Sequence, residues 1–93
     1  MNPADLRKEY TQAKLELDDL AEAPLQQFQK WFDEACSAEL LEPNAMVLST
    51  ADSGGCVSSR TVLMKAYDSE GLVFYTNYQS QKSEQIGENP QVS

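Results

Sequence analysis

Three runs between Ala45 and Tyr78 constrain the architecture most. Each is apolar and rich in β-branched or aromatic residues, and only short glycine-bearing turns separate them. AMVLSTAD (45–52), CVSSRTVLMKAY (56–67) and LVFYTNY (72–78) read as strands, with DSGG and DSEG between them. Turns this short join antiparallel neighbours, so the three strands form a meander of two consecutive hairpins. The chain ends in QVS, which reads as the start of a further strand. Three strands and such a start cannot close a barrel, and an open sheet leaves edges that must pair or be covered. The expectation is a sheet either cut off in mid-fold or completed by a partner chain.

Helical periodicity precedes this region. Asn2 can cap a first short helix, Pro3 occupies a position where its missing N–H does no harm, and Asp5 suits the positive helix end. That helix is expected from about Pro3 to Ala13, followed by an acidic connection, KLELDDLAEA (14–23). Pro24 opens a stronger helix, PLQQFQKWFDEACSAEL (24–40). Its residues Leu25, Phe28, Trp31, Phe32, Ala35 and Cys36 recur at spacings of three and four and form one core-facing stripe. After the third strand, SQKSEQIGENP predicts a short helix capped by Ser80, ended by Gly87 in a left-handed conformation and blocked by Pro90.

Composition narrows the function classes. The 93 residues make one small domain with a modest core. Seven basic against fifteen acidic side chains give a net charge of −8. A chain so acidic has no basic stripe for nucleic acid and no attraction to an anionic membrane, and it holds no apolar run long enough to span one. MNPADLRKEY lacks the apolar core of a signal peptide. Two isolated cysteines, Cys36 and Cys56, make neither a disulfide framework nor a metal site. They read as buried or semi-buried thiols in a reducing, cytoplasmic setting. With no histidine, serine–histidine and cysteine–histidine catalysis are excluded within this chain.

The second half carries only three cations, Arg60, Lys65 and Lys82. Arg60 and Lys65 bracket the apolar run Val62–Leu63–Met64 and, five apart on a strand, point to opposite faces. Lys82 sits in the first turn of a helix that follows the hydroxyls of Tyr75 and Thr76. Each cation taken singly is a snorkelling or solvated side chain. Together they describe an anion site, in which a guanidinium, an ammonium and free helix N–H groups meet a phosphate.

The ordered set NAMVLST, RTVLMK, GLVFYTN, S.K and NP.VS, preceded by LRKEYT and P…F..WF.EA, resembles the pyridoxine (pyridoxamine) 5′-phosphate oxidase family from about Leu6 to Ser93. The family's members are considerably longer, so the likeness is to their N-terminal portion. The resemblance implies a mainly β fold with flanking helices, an FMN-binding split β-barrel. Here it would be reduced to two N-terminal helices, the three-stranded meander and a short helix. Residues 1–23 would be the N-terminal helix and acidic connection, and 24–93 the barrel portion.

The resemblance also implies roles. FMN would lie at the interface of a homodimer. Arg60, Thr61, Val62, Leu63, Met64 and Lys65 match a flavin-binding strand, with Arg60 on the FMN phosphate. Lys65 also reaches the substrate phosphate. Tyr75 and Thr76 match a second FMN-contacting pair, and Lys82 matches a further phosphate-binding cation. Arg7, Lys8, Glu9 and Tyr10 match a segment that folds over the substrate. Gln81 departs from the pattern, standing where the family usually has an arginine. The implied reaction is oxidation of pyridoxamine or pyridoxine 5′-phosphate to pyridoxal 5′-phosphate, with oxygen as acceptor. No residue is assigned as acid or base, and no metal is implied. The alternative reading is a flavin-binding or dimerising split-barrel module, or a fragment, without turnover.

Overall fold

The computed structural model describes residues 2–6 and 15–93. A 14-residue helix α1 (Pro24–Ser37) precedes strands β1 (Ala45–Ala51), β2 (Val57–Asp68) and β3 (Gly71–Phe74), and helix α2 (Gln81–Glu88) closes the order. The strands form one antiparallel sheet in the order β1-β2-β3, the expected meander. Both hairpins rest on the same device. The Asp52 carboxylate accepts the N–H groups of Gly54 and Cys56, and the Asp68 carboxylate accepts those of Glu70 and Gly71. An aspartate that caps its own turn competes well with water, and Gly55 at φ 87° supplies a conformation other residues resist.

Strand β3 is shorter than expected. It ends at Phe74, so Tyr75 to Tyr78 lie in the link to α2. Its pairing with β2 also shifts register, because Met64 faces Phe74 while Ala66 faces Val73. Lys65 is therefore an extra residue in β2, a β-bulge that leaves Lys65 and Ala66 both on the exposed face and returns Tyr67 to the face of Val62 and Met64.

Both helices cover that face, at opposite ends of the sheet. The rings of Phe28 and Phe32 on α1 meet Tyr67 edge-on, with centroids 5.1 Å and 5.7 Å away. At the other end Gln85 of α2 meets Thr50 of β1. Between them lie the buried apolar side chains Leu48, Val62 and Met64. The stripe on α1 is narrower than its sequence suggests. Successive residues turn by about 100°, which puts Trp31 and Cys36 on its two flanks. Trp31 is 49% exposed and Cys36 is exposed; Cys56 is exposed as well, so neither thiol is a packing residue among the described residues.

Helix ends explain the remaining differences. α1 stops at Ser37 because Glu39 adopts φ 57°, and the amides of Glu39 and Leu40 return to the carbonyls of Cys36 and Ala35. This is a Schellman closure with a glutamate in the place glycine favours. At α2 the reverse holds. Gly87 stays inside the helix, which continues until the Asn89 amide bonds the Gln85 carbonyl, and Glu88 accepts the Ser53 amide across the first hairpin. The N-terminal turn is a 3₁₀ helix at Pro3–Leu6 capped by Asn2, and the rest of the expected first helix lies outside the described residues. The acidic connection holds one more 3₁₀ turn, Leu17–Asp19. QVS does begin a new strand contact, since Ser93 and Ser49 exchange both backbone hydrogen bonds along the free edge of β1. No helix among the described residues is long and apolar enough to cross a membrane.

Candidate functional site

Strand β2 alternates up to its bulge. Ser58 and Arg60 are half-buried, and Val62 and Met64 buried; Ser59, Thr61, Leu63 and Lys65 are exposed. Arg60 and Lys65 therefore occupy opposite faces, as their spacing predicts. The Arg60 side chain lies back across β1. Its Nη1 donates to the Leu48 carbonyl at 3.2 Å, to Thr50 Oγ1 at 2.7 Å and to the Ser58 carbonyl at 3.2 Å. These acceptors are neutral, so they orient the guanidinium without cancelling its charge. Nε and Nη2 have no acceptor among the described residues, which leaves one bidentate edge for an oxyanion.

Thr50 joins Arg60 to α2. Its hydroxyl donates to Gln85 Oε1, and Gln85 Nε2 lies 3.5 Å from Ser58 Oγ, at the limit of a hydrogen bond. Lys82 stands three residues before Gln85, so it lies on the same side of α2, one turn nearer the N-terminus. That end is well formed. The Ser80 hydroxyl accepts the Ser83 amide at 3.3 Å, and the Ser83 hydroxyl donates to the Asn77 carbonyl at 2.9 Å. The Gln81 and Lys82 amides precede the first intrahelical donor and point out of the helix end.

Just before this end, Thr76 Oγ1 is shielded from solvent and has no hydrogen-bond partner among the described residues. A buried hydroxyl left alone costs about 1–3 kcal/mol, so it marks a place where a polar partner belongs. Tyr75 beside it is 76% exposed. The described residues thus offer donors of the kind a phosphate monoester needs (one guanidinium edge, an ammonium, helix-end amides and an unpartnered hydroxyl), and the Thr50–Gln85 contact joins Arg60 to the helix that carries Lys82.

The other expected residues divide by position. The side chains of Val62 and Met64 are in the core, so only their backbone could meet a ligand, whereas Thr61, Leu63 and Lys65 face outward and Gln81 is exposed. Arg7, Lys8, Glu9 and Tyr10 lie outside the described residues. Thr50, Ser58 and Gln85 went unrecognised in the sequence. The available signal was weak, a threonine and a serine at inward positions of two paired strands. The register that aligns Thr50 with Ser58 follows from the DSGG turn.

Residues 32–93 match the sequence profile of the family described as Pyridoxamine 5′-phosphate oxidase. A pyridoxine/pyridoxamine 5′-phosphate oxidase of Rippkaea orientalis is 54% identical over 93 residues, covering 100% of this chain and 44% of that protein. The enzyme so named from Thermobifida fusca is 54% identical over 89 residues, covering 96% of this chain and 40% of the relative. The chain thus spans less than half the length of these relatives. Among solved structures, PhzG from Burkholderia lata 383, in complex with tetrahydrophenazine-1-carboxylic acid, superposes with a TM-score of 0.76 at 32% identity. That superposition covers 81% of this chain and 37% of PhzG. The expected fold class stands: a mainly β, split-barrel portion with flanking helices.

Proposed function

The chain belongs to the pyridoxamine 5′-phosphate oxidase family, and from that premise we propose that it supplies the FMN-phosphate cradle of an FMN-dependent oxidase of pyridoxamine or pyridoxine 5′-phosphate. Residues 24–93 form the barrel portion and residues 1–23 the segment that approaches the substrate. The observation that carries this reading is the state of Arg60, tied to β1 through Nη1 while its Nε–Nη2 edge stays open.

The chemistry FMN supplies when bound is acceptance of two electrons from the substrate carbon that bears the amine or alcohol, and their return to oxygen. The chain's own residues bind and orient. Arg60 would hold the cofactor phosphate through its Nε–Nη2 edge, and Lys82 with the Gln81 and Lys82 amides would supply the remaining donors from the helix end. Bound there, the phosphate would give the Thr76 hydroxyl the partner it lacks, and Tyr75 beside it would be free to contact the flavin. Thr61 to Met64 would contribute to the cofactor site, the core-facing pair through backbone alone. Lys65, on the opposite face of β2, takes the substrate phosphate, so one strand separates the two phosphates. Arg7, Lys8, Glu9 and Tyr10 cover the substrate and exclude water. No side chain here acts as acid or base, and positioning supplies the rate.

The exposed sheet face bearing Val47, Val57 and Leu63 suits a homodimer with FMN at its interface. The test is FMN titration followed by flavin fluorescence, together with size-exclusion chromatography. Arg60→Ala and Lys82→Ala should each weaken FMN binding by about tenfold or more. Unchanged binding in Arg60→Ala would sink the cradle. Binding without turnover of pyridoxamine 5′-phosphate would favour a flavin-holding module.

A further inference from the structure

Among the described residues half of the buried side chains are polar, and two of them, Thr50 at 1% and Gln85 at 7% exposure, lie together between β1 and α2. In so small a core an apolar pair would serve adhesion at least as well, because a buried polar pair must satisfy every donor and acceptor merely to break even. These two form an ordered relay that ends on Arg60.

A threonine hydroxyl has one hydrogen and two lone pairs. Gln85 Oε1 takes the hydrogen. The lone pairs are thereby turned toward Arg60 Nη1, which donates to Oγ1 at 2.7 Å. Gln85 Nε2 points to Ser58 Oγ, which fixes which end of the amide faces Thr50. The relay therefore settles the rotor of the hydroxyl, and the hydroxyl settles the plane of the guanidinium.

We infer that Gln85 and Thr50 are positioning residues for Arg60: by saturating Nη1 they hold the guanidinium so that its Nε–Nη2 edge, and not its Nη1–Nη2 edge, meets the phosphate of the bound ligand. This rests on the assignment of a phosphate-bearing flavin to Arg60 and adds to it. Phosphate recognition becomes contingent on α2 being docked, because the same Gln85 side chain that seats the helix sets the arginine. Lys82, one turn away, arrives with it. A free guanidinium would lose part of its bidentate contact to rotation; a seated one does not.

The test is equilibrium binding of FMN and of riboflavin, which lacks the phosphate, to the protein as its gene encodes it. The readout is the ratio of the two Kd values, which a merely structural role would leave alone. Arg60→Ala should lower the preference for FMN by about tenfold or more. Gln85→Leu and Thr50→Val should each lower it by about five- to tenfold, with riboflavin affinity held within about twofold. Thr50→Ser keeps the hydroxyl and should keep the preference. The Arg60→Ala, Gln85→Leu double variant should lose no more than Arg60→Ala alone. If Gln85→Leu does not fold, Thr50→Val decides. Should Arg60→Ala lose the preference while Gln85→Leu and Thr50→Val retain it, or should both ligands weaken equally, the positioning role is wrong and the flavin assignment survives. If the unaltered protein binds riboflavin as well as FMN, or Arg60→Ala changes nothing, the flavin assignment fails and takes this inference with it.

Discussion

Glu39 occupies a left-handed conformation, φ 57°, at the close of α1, where its own amide bonds the Cys36 carbonyl and the Leu40 amide the Ala35 carbonyl. A residue with a Cβ in that region costs about 1 kcal/mol relative to glycine. Glu39→Gly should therefore raise stability by about that amount in urea unfolding, with no change in flavin affinity. Thr76 makes the opposite case. Its buried hydroxyl has no partner among the described residues, so Thr76→Val should stabilise the ligand-free protein by about 1 kcal/mol while weakening FMN binding. A thermal melt with and without FMN would reveal both effects; a variant that is stabilised and also binds FMN normally would remove Thr76 from the site. Gln81 is exposed beside the helix end, at a position where the resemblance implies an arginine. Gln81→Arg should tighten FMN binding by roughly tenfold, the worth of one charged hydrogen bond.

At the scale of elements, α2 is a short helix with a large part in the site, and its cap decides whether its first turn is ordered. Ser80→Ala removes the bond to the Ser83 amide and the contact to the Ser83 hydroxyl. It should cost about 1 kcal/mol and weaken FMN more than riboflavin, by the same comparison of Kd values. Elements were also where the sequence was most legible. Both hairpins, α1 and the Ser80 cap follow from turn chemistry and periodicity, because those signals are local. Gly87 misled for the same reason. Its backbone freedom permits a helix end, but Glu88 bonding to Ser53 across the hairpin keeps the helix going one residue further. The opposite faces of Arg60 and Lys65 were legible from spacing, since both precede the bulge or lie in it. The bond from Arg60 back to Thr50 was not, because no spacing within one strand reports what the neighbouring strand presents.

Across the whole molecule, the radius of gyration is 16.9 Å, where about 12 Å is typical of a folded chain of this length. Among the described residues Leu48, Val62 and Met64 are the buried apolar core, while Leu41 is 97% and Tyr78 91% exposed. Surface of this kind demands cover. The purified chain should elute ahead of a globular standard of its 10.4 kDa mass and enhance the fluorescence of an apolar dye. FMN should reduce the dye signal if it draws two copies together. Elution at the monomer position with no dye binding would show that the described faces are satisfied internally. The sequence announced this through its count of strands; how much of α1 would stay exposed it could not say, since Trp31 differs from Phe32 only by its place on the edge of a stripe.

The bulge at Lys65 gives β2 two phases. Before it, even-numbered residues address α2 and the arginine site; after it, odd-numbered Tyr67 addresses α1. Deleting Ala66 would merge the two phases: with the extra residue gone, plain alternation from Met64 puts Lys65 outward and Tyr67 inward, still against α1. For this strand a one-codon loss at the bulge is a milder mutation than the same loss between Val57 and Met64, which would turn one half of the strand over against the other and part the arginine site from Tyr67.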